Sequence, residues 1–393
     1  MVLRLVVTAT LLICFLLALP AAADNVMAKV SNPAEHAALM ELAAAERFLN
    51  YNFKPIAVQK LETLLAERPN WQYKPQTELA YAHALMLNKE YERGLSIFQT
   101  IHDSYKESKP LIAAWAQYYI ADCLNRMARY QEAASACKDT QSFIGVISDL
   151  QPVLQAQRKM ALLVKYKKVD SSQVFNFTPE DIDGRAWEHA VTIAVRTHCG
   201  FLQEAYQEYQ QITSLLPAQD KRLAIAGIRL IASELAIYER RKEKDTAILT
   251  HAKQLLQDIE TSYPSENWLI NKGKLTIAGT MVRCNVDLPI AESYMRDVIA
   301  NSDSTARLPA AYSLLMDSLF GQDKFDEAAE TAKTVMDNYP YSTCTDYVAY
   351  RRAFSLHKAG KEEQATAMLD QIIETYPDSG WSGATRLAKE VGW

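Results

Sequence analysis

The sequence predicts an all-α protein, an α-solenoid of about eight stacked antiparallel helix hairpins. Three observations carry this. Tyr-Pro dipeptides close apolar helical stretches at Tyr263-Pro264, Tyr339-Pro340 and Tyr376-Pro377, in steps of 76 and 37 residues, so that 76 reads as two units of 38. Small residues recur in the same phase at Ala252, Ala291, Ala328 and Ala365, in steps of 39, 37 and 37. The chain of 393 residues holds 12 Gly and 14 Pro, too few for a loop-rich or all-β protein, and Ala, Leu, Glu, Gln and Lys, all good helix formers, dominate. A period near 38 marks one supersecondary unit copied along the chain.

Residues 1–23 read as a signal peptide. Arg4 is the basic region, Leu5 to Leu19 is apolar apart from Thr8 and Thr10, and Pro20 precedes a small-residue cleavage site at Ala21-Ala22-Ala23. The run is shorter than a spanning helix needs, about 20 residues. Cys14 follows Ile13 rather than the small residue a lipidation site requires. No later stretch is long and apolar enough to span a bilayer, so no membrane insertion is expected after cleavage.

Residues 24–166 form the N-terminal set of repeats. Ala57, Gly94 and Ala133 hold the phase in steps of 37 and 39, flanked by Phe48, Leu61, Leu85, Phe98, Ala121 and Leu124. A helix at about 150–165 has no evident partner. Residues 167–183 are polar, contain Pro179 and lack helical period, and read as a linker or long loop between two segments. Residues 184–379 form the C-terminal set. Its clearest unit puts Ala349, Ala353 and Leu356 on one helix face and Ala365, Leu369 and Ile372 on the next, with Gly360 between them and Pro377 as the stop. Each helix has one apolar stripe and is unstable alone. The charge run Arg240 to Asp245 reads as a solvated helix extension. Residues 380–393 read as a capping helix over the last apolar face.

Tyr130-Gln131-Glu132-Ala133 with Ala121, Phe325-Asp326-Glu327-Ala328 with Pro340, and Gly360 with Ala365 and Pro377 resemble the tetratricopeptide repeat family over roughly residues 33–377. The chain departs from that pattern in its spacing of 37 to 39 and in Met316 and Ile193, which replace the usual small residue. The Tyr376 to Ser379 ending is similar to repeats of exported envelope proteins such as the Tol-Pal coordinator and outer-membrane assembly families. The resemblance implies a right-handed superhelix whose first helices line a concave groove for protein or peptide partners. It also implies a place in the periplasm or cell envelope of a Gram-negative-type bacterium. The groove-facing candidates are Trp115, Tyr118, Asp122, Asn125 and Arg126, three to four apart on one helix, with a second set at Tyr347, Tyr350, Phe354 and His357.

The formal net charge is −5, and loss of Arg4 with the signal makes it −6, which argues against nucleic acid as a partner. No cofactor or metal is expected. His189, His198 and Cys199 lack paired-ligand spacing, and Gly-rich phosphate loops and nucleophile elbows are missing from the sequence. Glu292-Ser293 is similar to an acid–serine pair of peptidoglycan-cleaving enzymes but lies inside a repeat. The expectation is therefore a binding scaffold rather than an enzyme. The alternatives are a structural spacer or homo-oligomer and, further off, the helical scaffold of a peptidoglycan-acting enzyme. After signal removal the cysteines number five, and Cys123 and Cys137 share one hairpin, where either a bridge or two packed thiols would fit.

Overall fold

The computed structural model describes residues 32–391 except 242–243, 303–304 and 378. The expected signal at 1–23, with Cys14, lies outside the described residues. Eighteen helices follow one another, with no strand among the described residues beyond an isolated bridge between Ile144 and Ile147. They are α1 (Pro33–Asn50), α2 (Lys54–Glu67), α3 (Lys74–Leu87), α4 (Tyr91–Tyr105), α5 (Pro110–Arg126), α6 (Tyr130–Asp139), α7 (Gln151–Lys165), α8 (Ile182–His198) and α9 (Leu202–Leu215). After these come α10 (Lys221–Arg240), α11 (Thr246–Ser262), α12 (Asn267–Cys284), α13 (Leu288–Asn301), α14 (Leu308–Gly321), α15 (Phe325–Asn338), α16 (Thr345–Lys358), α17 (Glu362–Thr375) and α18 (Gly380–Val391). In chain order these give eight helix–turn–helix pairs, an unpaired α7 and a terminal α18. The protein is an all-α solenoid, as its period predicts.

The turns inside the pairs explain how one geometry is copied with varied residues. Asn52, Lys89, Ala128, Gly200, Asp323 and Gly360 each sit mid-turn with φ between 60° and 85°. The amides of Phe53, Arg129, Phe201, Lys324 and Lys361 then reach back to the carbonyls of Phe48, Leu124, Arg196, Leu319 and Leu356. That closes the last helical turn and satisfies a carbonyl that would otherwise be orphaned. The other end of four units is set by proline. Arg68, Tyr263, Tyr339 and Tyr376, each just before a proline, take φ from −127° to −133° with ψ from 52° to 61°, outside the helical region.

The phase residues are the contact points. Ala57, Ala133, Ala205, Ala252, Ala291, Ala328 and Ala365 are fully buried. A methyl at these places lets the second helix approach its neighbours closely. Met316 and Ile193, the departures from the small-residue pattern, are fully buried as well and fill the space.

The chain forms two compact units, residues 1–88 with 281–393, and residues 89–280. In the discontinuous unit α14 packs on α13, α15 and α16, and α18 packs on both α16 and α17, as a cap over the last pair. The same unit brings α1 against the loop before α16: Leu39, Ala43 and Tyr341 form one buried cluster. His36 Nδ1 and the Tyr341 hydroxyl are hydrogen-bonded at 2.6 Å. Asp346 accepts from the Tyr51 hydroxyl at 2.7 Å and from Ser379 Oγ at 2.6 Å.

In the continuous unit, α5, α7, α8 and α10 stack in sequence, and α7 touches α5, α6 and α8. The unpaired helix expected from the sequence is therefore α7. It ends like the others, with Lys167 at φ 53° and the Lys168 amide on the Leu163 carbonyl. No full second helix follows. Residues 167–181 hold one helical turn, at Ser171–Val174, before α8 begins at Ile182. They do not hold two segments apart, because α7 and α8 on either side pack directly together. Val169 and Phe175 are buried, and Phe177 lies on Gly184, where any Cβ would sit 2.0 Å from the ring. Aromatic packing on a glycine substitutes here for the missing helix. The run at 240–245 also differs from expectation: α10 ends at Arg240, and Asp245 caps α11 by accepting from the Ala247 amide at 3.1 Å. An acid at that place starts the next helix.

Candidate functional site

The first candidate set lies on α5. Pro110 opens this helix, and its apolar stripe packs on α4, α6 and α7. Trp115 belongs to that buried stripe, 3% exposed. Its ring stacks at 5.8 Å on Tyr119, which stacks in turn on Phe98 at 5.1 Å. The expectation that Trp115 faces a groove is corrected: it is core. Asp122 is buried too, and accepts from Arg126 Nε at 3.1 Å and from Lys159 of α7. Burial alone would raise its carboxyl, but Lys159 and Arg126 prevail and hold it below its ordinary value. Half-buried Tyr118 stands next to this pair. Burial, then the Asp122 charge, pushes its hydroxyl far above the usual range, so it acts as a neutral hydrogen-bonding group. Asn125 is half-buried and Arg126 exposed. Of this set Tyr118, Asn125 and Arg126 keep some exposure, beside the pair of Asp122 and Lys159. Lys159 was missed in the sequence, although it lies 37 residues from Asp122, one repeat length, and the phase alone could have pointed to it.

The second set, on α16, is brought together but mostly internal. Tyr347 and Tyr350 are each 8% exposed, and each ring lies 5.0 Å from Trp381 of α18. The Tyr347 hydroxyl donates to both oxygens of Asp317, at 2.9 and 2.8 Å. Arg351 Nε donates to Asp317 at 2.9 Å, and its guanidinium lies 4.1 Å from the Phe320 ring centre. Burial pushes the Asp317 carboxyl up, against the pull of Arg351 and Tyr347. Tyr347 and Tyr350 are thus corrected from groove residues to packing under the cap. Phe354, stacked on Phe320 at 5.4 Å, and His357 are half-exposed.

Other titratable groups pair structurally. His189 meets Glu208 at 2.8 Å, and among the described residues no group of three His, Cys, Asp or Glu is placed to hold a metal. Cys123 and Cys137 are buried free thiols, both pushed up to about 12, chiefly by burial, and hence unreactive. Glu292 accepts from Lys324 at 2.8 Å, Arg296 at 2.9 Å and Gln322 at 3.0 Å. Burial opposes its charge, but these donors hold it below its ordinary value, the reverse of what a proton donor needs. No helix among the described residues is long and apolar enough to cross a membrane.

Fully buried Glu234 accepts from the Tyr206 hydroxyl and lies 3.0 Å from His251 Nδ1. The hydrogen bond to Glu234 raises His251 above 6.5 despite burial. A raised folded value stabilises fully below pH 6.5 and ceases to do so as pH rises through it. The denaturant midpoint should therefore fall between about pH 6 and about pH 8.5, and the fall should shrink in His251→Gln. Equal falls in the two chains would remove His251 as the cause.

Comparison with known proteins adds three findings. Residues 347–379, which span most of α16 and all of α17, match the family model described as Tetratricopeptide repeat. No curated protein matches the sequence. Among solved structures the chain is similar to one in the crystal structure of the APC/C hetero-tetramer Cut9-Hcn1, at 12% identity, covering 89% of this chain and 76% of that chain, with a TM-score of 0.27. The hairpin of α16 and α17 is thus similar in sequence to a tetratricopeptide repeat.

Proposed function

We propose that the chain is an exported helical-repeat scaffold that binds a protein or peptide segment in the cell envelope. Repeated hairpins offer extended surface rather than one deep cavity, and scaffolds so built act by binding. The carrying observation is the α5 face, where a half-buried aromatic, Tyr118, adjoins Asn125 and the exposed Arg126 over an ion pair that fixes their positions. Aromatic and arginine side chains held in place lose little entropy on contact. The apolar run of residues 5–19 followed by Ala21-Ala22-Ala23 supports export.

The test is a cross-linked pull-down from envelope extract with the chain from Asp24 onward, beside a Tyr118→Ala/Asn125→Ala variant. A partner retained by the parent and lost by the variant is the expected result. The same proteins on both baits, or none on either, would sink the proposal. Light scattering on the same samples separates the spacer or homo-oligomer reading, which requires a mass that grows with concentration.

A further inference from the structure

A groove of about 550 Å³ opens in the continuous unit between α4 and α6, with α5 as its floor. It follows from the packing: α5 lies against both α4 and α6, and those two helices stand as walls on either side of it. Gln117, Ile120 and Leu124 line the floor, three and four residues apart on one face of α5. Tyr118 and Asn125 turn to another face of the same helix. Asp103 of α4 and Glu132 and Asp139 of α6 put three carboxylates on the walls.

The two ends of the groove differ. Glu132 is held by Arg129 through two hydrogen bonds, at 2.7 and 2.6 Å, so its charge is met. Asp103 and Asp139 lie toward the opposite end. The His102 ring lies 6.3 Å from Phe143 in the turn after α6, which brings this part of α4 beside the end of α6. Asp103 meets His102 Nδ1 at 3.1 Å. Asp139 has no side-chain hydrogen bond among the described residues, and burial raises its carboxyl against the pull of Lys138 and then His102. The Lys138 ammonium lies over the Phe177 ring, 4.1 Å from its centre.

Gln117 makes this more than a solvated acidic rim. It is only 8% exposed, and its Nε2 donates to the Ala136 carbonyl at 3.2 Å, one helical turn before Asp139. A carbonyl accepts only from the amide nitrogen, so that bond fixes which way round the side chain lies. Its Oε1 is left to the groove and accepts from no donor among the described residues. A side chain so sheltered ordinarily has its acceptor satisfied.

We infer that this end of the groove takes the basic side chain, arginine or lysine, of an extended peptide segment from a partner protein. Asp103, Asp139 and Gln117 Oε1 are all acceptors, and two carry negative charge; an ammonium or guanidinium supplies several donors and the opposite sign. Ile120 and Leu124 continue the floor and offer apolar surface to the stem of that side chain or to an apolar neighbour. From Gln117 to Leu124 the floor runs about 10 Å, which admits about three extended residues, a segment rather than a folded domain. The site does not rest on the Tyr118 face, and either can fail without the other.

The test is a low-salt titration of the chain from Asp24 onward, with labelled isoleucine and leucine methyl groups, read by NMR. The probes are two acetylated, amidated peptides, Ala-Arg-Leu-Ala and Ala-Gln-Leu-Ala. The arginine peptide should shift the Ile120 and Leu124 methyl signals to saturation, and the glutamine peptide should bind about tenfold or more weakly. Asp103→Asn/Asp139→Asn alters two exposed side chains, so Tm should hold while the arginine peptide loses about tenfold or more in affinity. Gln117→Leu should lose about fivefold, and the double acid variant carries the test alone if that chain does not fold. Unmoved methyl signals, equal binding of the two peptides, or undiminished binding to the double acid variant overturns the site. Spermidine, a free polyamine without backbone or apolar neighbour, should displace the arginine peptide only at higher concentration. Displacement at equal or lower concentration overturns the assignment to a peptide.

Discussion

Arg351→Met is expected to destabilise the unit of residues 1–88 and 281–393 by about 3–5 kcal/mol. Among the described residues Arg351 is the one cation on Asp317, a carboxylate with a side chain only 4% exposed, and the Arg351 side chain is itself 13% exposed. Methionine keeps the bulk over Phe320 but removes the charge and the 2.9 Å hydrogen bond. The remaining Tyr347 donor cannot compensate a sheltered negative charge, so Asp317 must take up a proton or drag water inward. The control is Asp317→Leu/Arg351→Met. Replacing both partners by apolar groups removes the orphan along with the pair, and most of the lost stability should return. Hydrogen exchange along α14 and α16 reads the effect where it arises. A single-variant loss below about 1 kcal/mol would show that solvent already screens the pair.

Much of this fold was legible because repetition multiplies weak signals. The Tyr-Pro pairs mark helix ends, since proline disfavours the helical region in the residue before it and cannot continue a helix beyond its first turn. The alanines in phase are fully buried because each repeat needs a close approach at the same point. The turns were harder. Gly360 and Gly200 announce a left-handed residue, but Lys89, Ala128 and Asp323 adopt the same conformation without announcing it. There the surrounding helices impose a backbone that the residue itself disfavours by roughly 1–2 kcal/mol. The candidate surface was legible only in part. Spacing placed Trp115, Tyr118 and Asp122 on α5, and Tyr347, Tyr350 and Phe354 on α16, but not which neighbour each residue meets. Trp381 shows the limit, for the sequence places a cap after α17, and only the packing reveals that its indole covers Tyr347 and Tyr350.

Tyr341→Ala should cost about 3–5 kcal/mol and loosen the first hairpin of the discontinuous unit. In a simple stack the first helix touches only its immediate successors. Here α1 also lies against Tyr341, fully buried among Leu39 and Ala43, and Tyr51 donates to Asp346. Arg47 lies 5.5 Å from the ring centre of Tyr376. The apolar flank of α1 is thereby covered by a segment about 300 residues later in the chain, so no separate N-terminal cap is needed within this unit. Alanine leaves a cavity the size of a phenol at that junction and removes the hydrogen bond to His36, while Tyr341→Phe removes only that 2.6 Å hydrogen bond and should cost about 1 kcal/mol. Because the contact joins distant parts of the chain, its loss should register as faster proteolysis in the exposed turn at Asn52 and Phe53, ahead of global unfolding. If Tyr341→Ala unfolds at the parental temperature and the turn is cut no faster, α1 is held by its own hairpin partner and the closure contributes nothing. If cleavage accelerates while α14 to α17 keep their hydrogen-exchange protection, the junction is a latch on the first hairpin rather than a support for the whole unit.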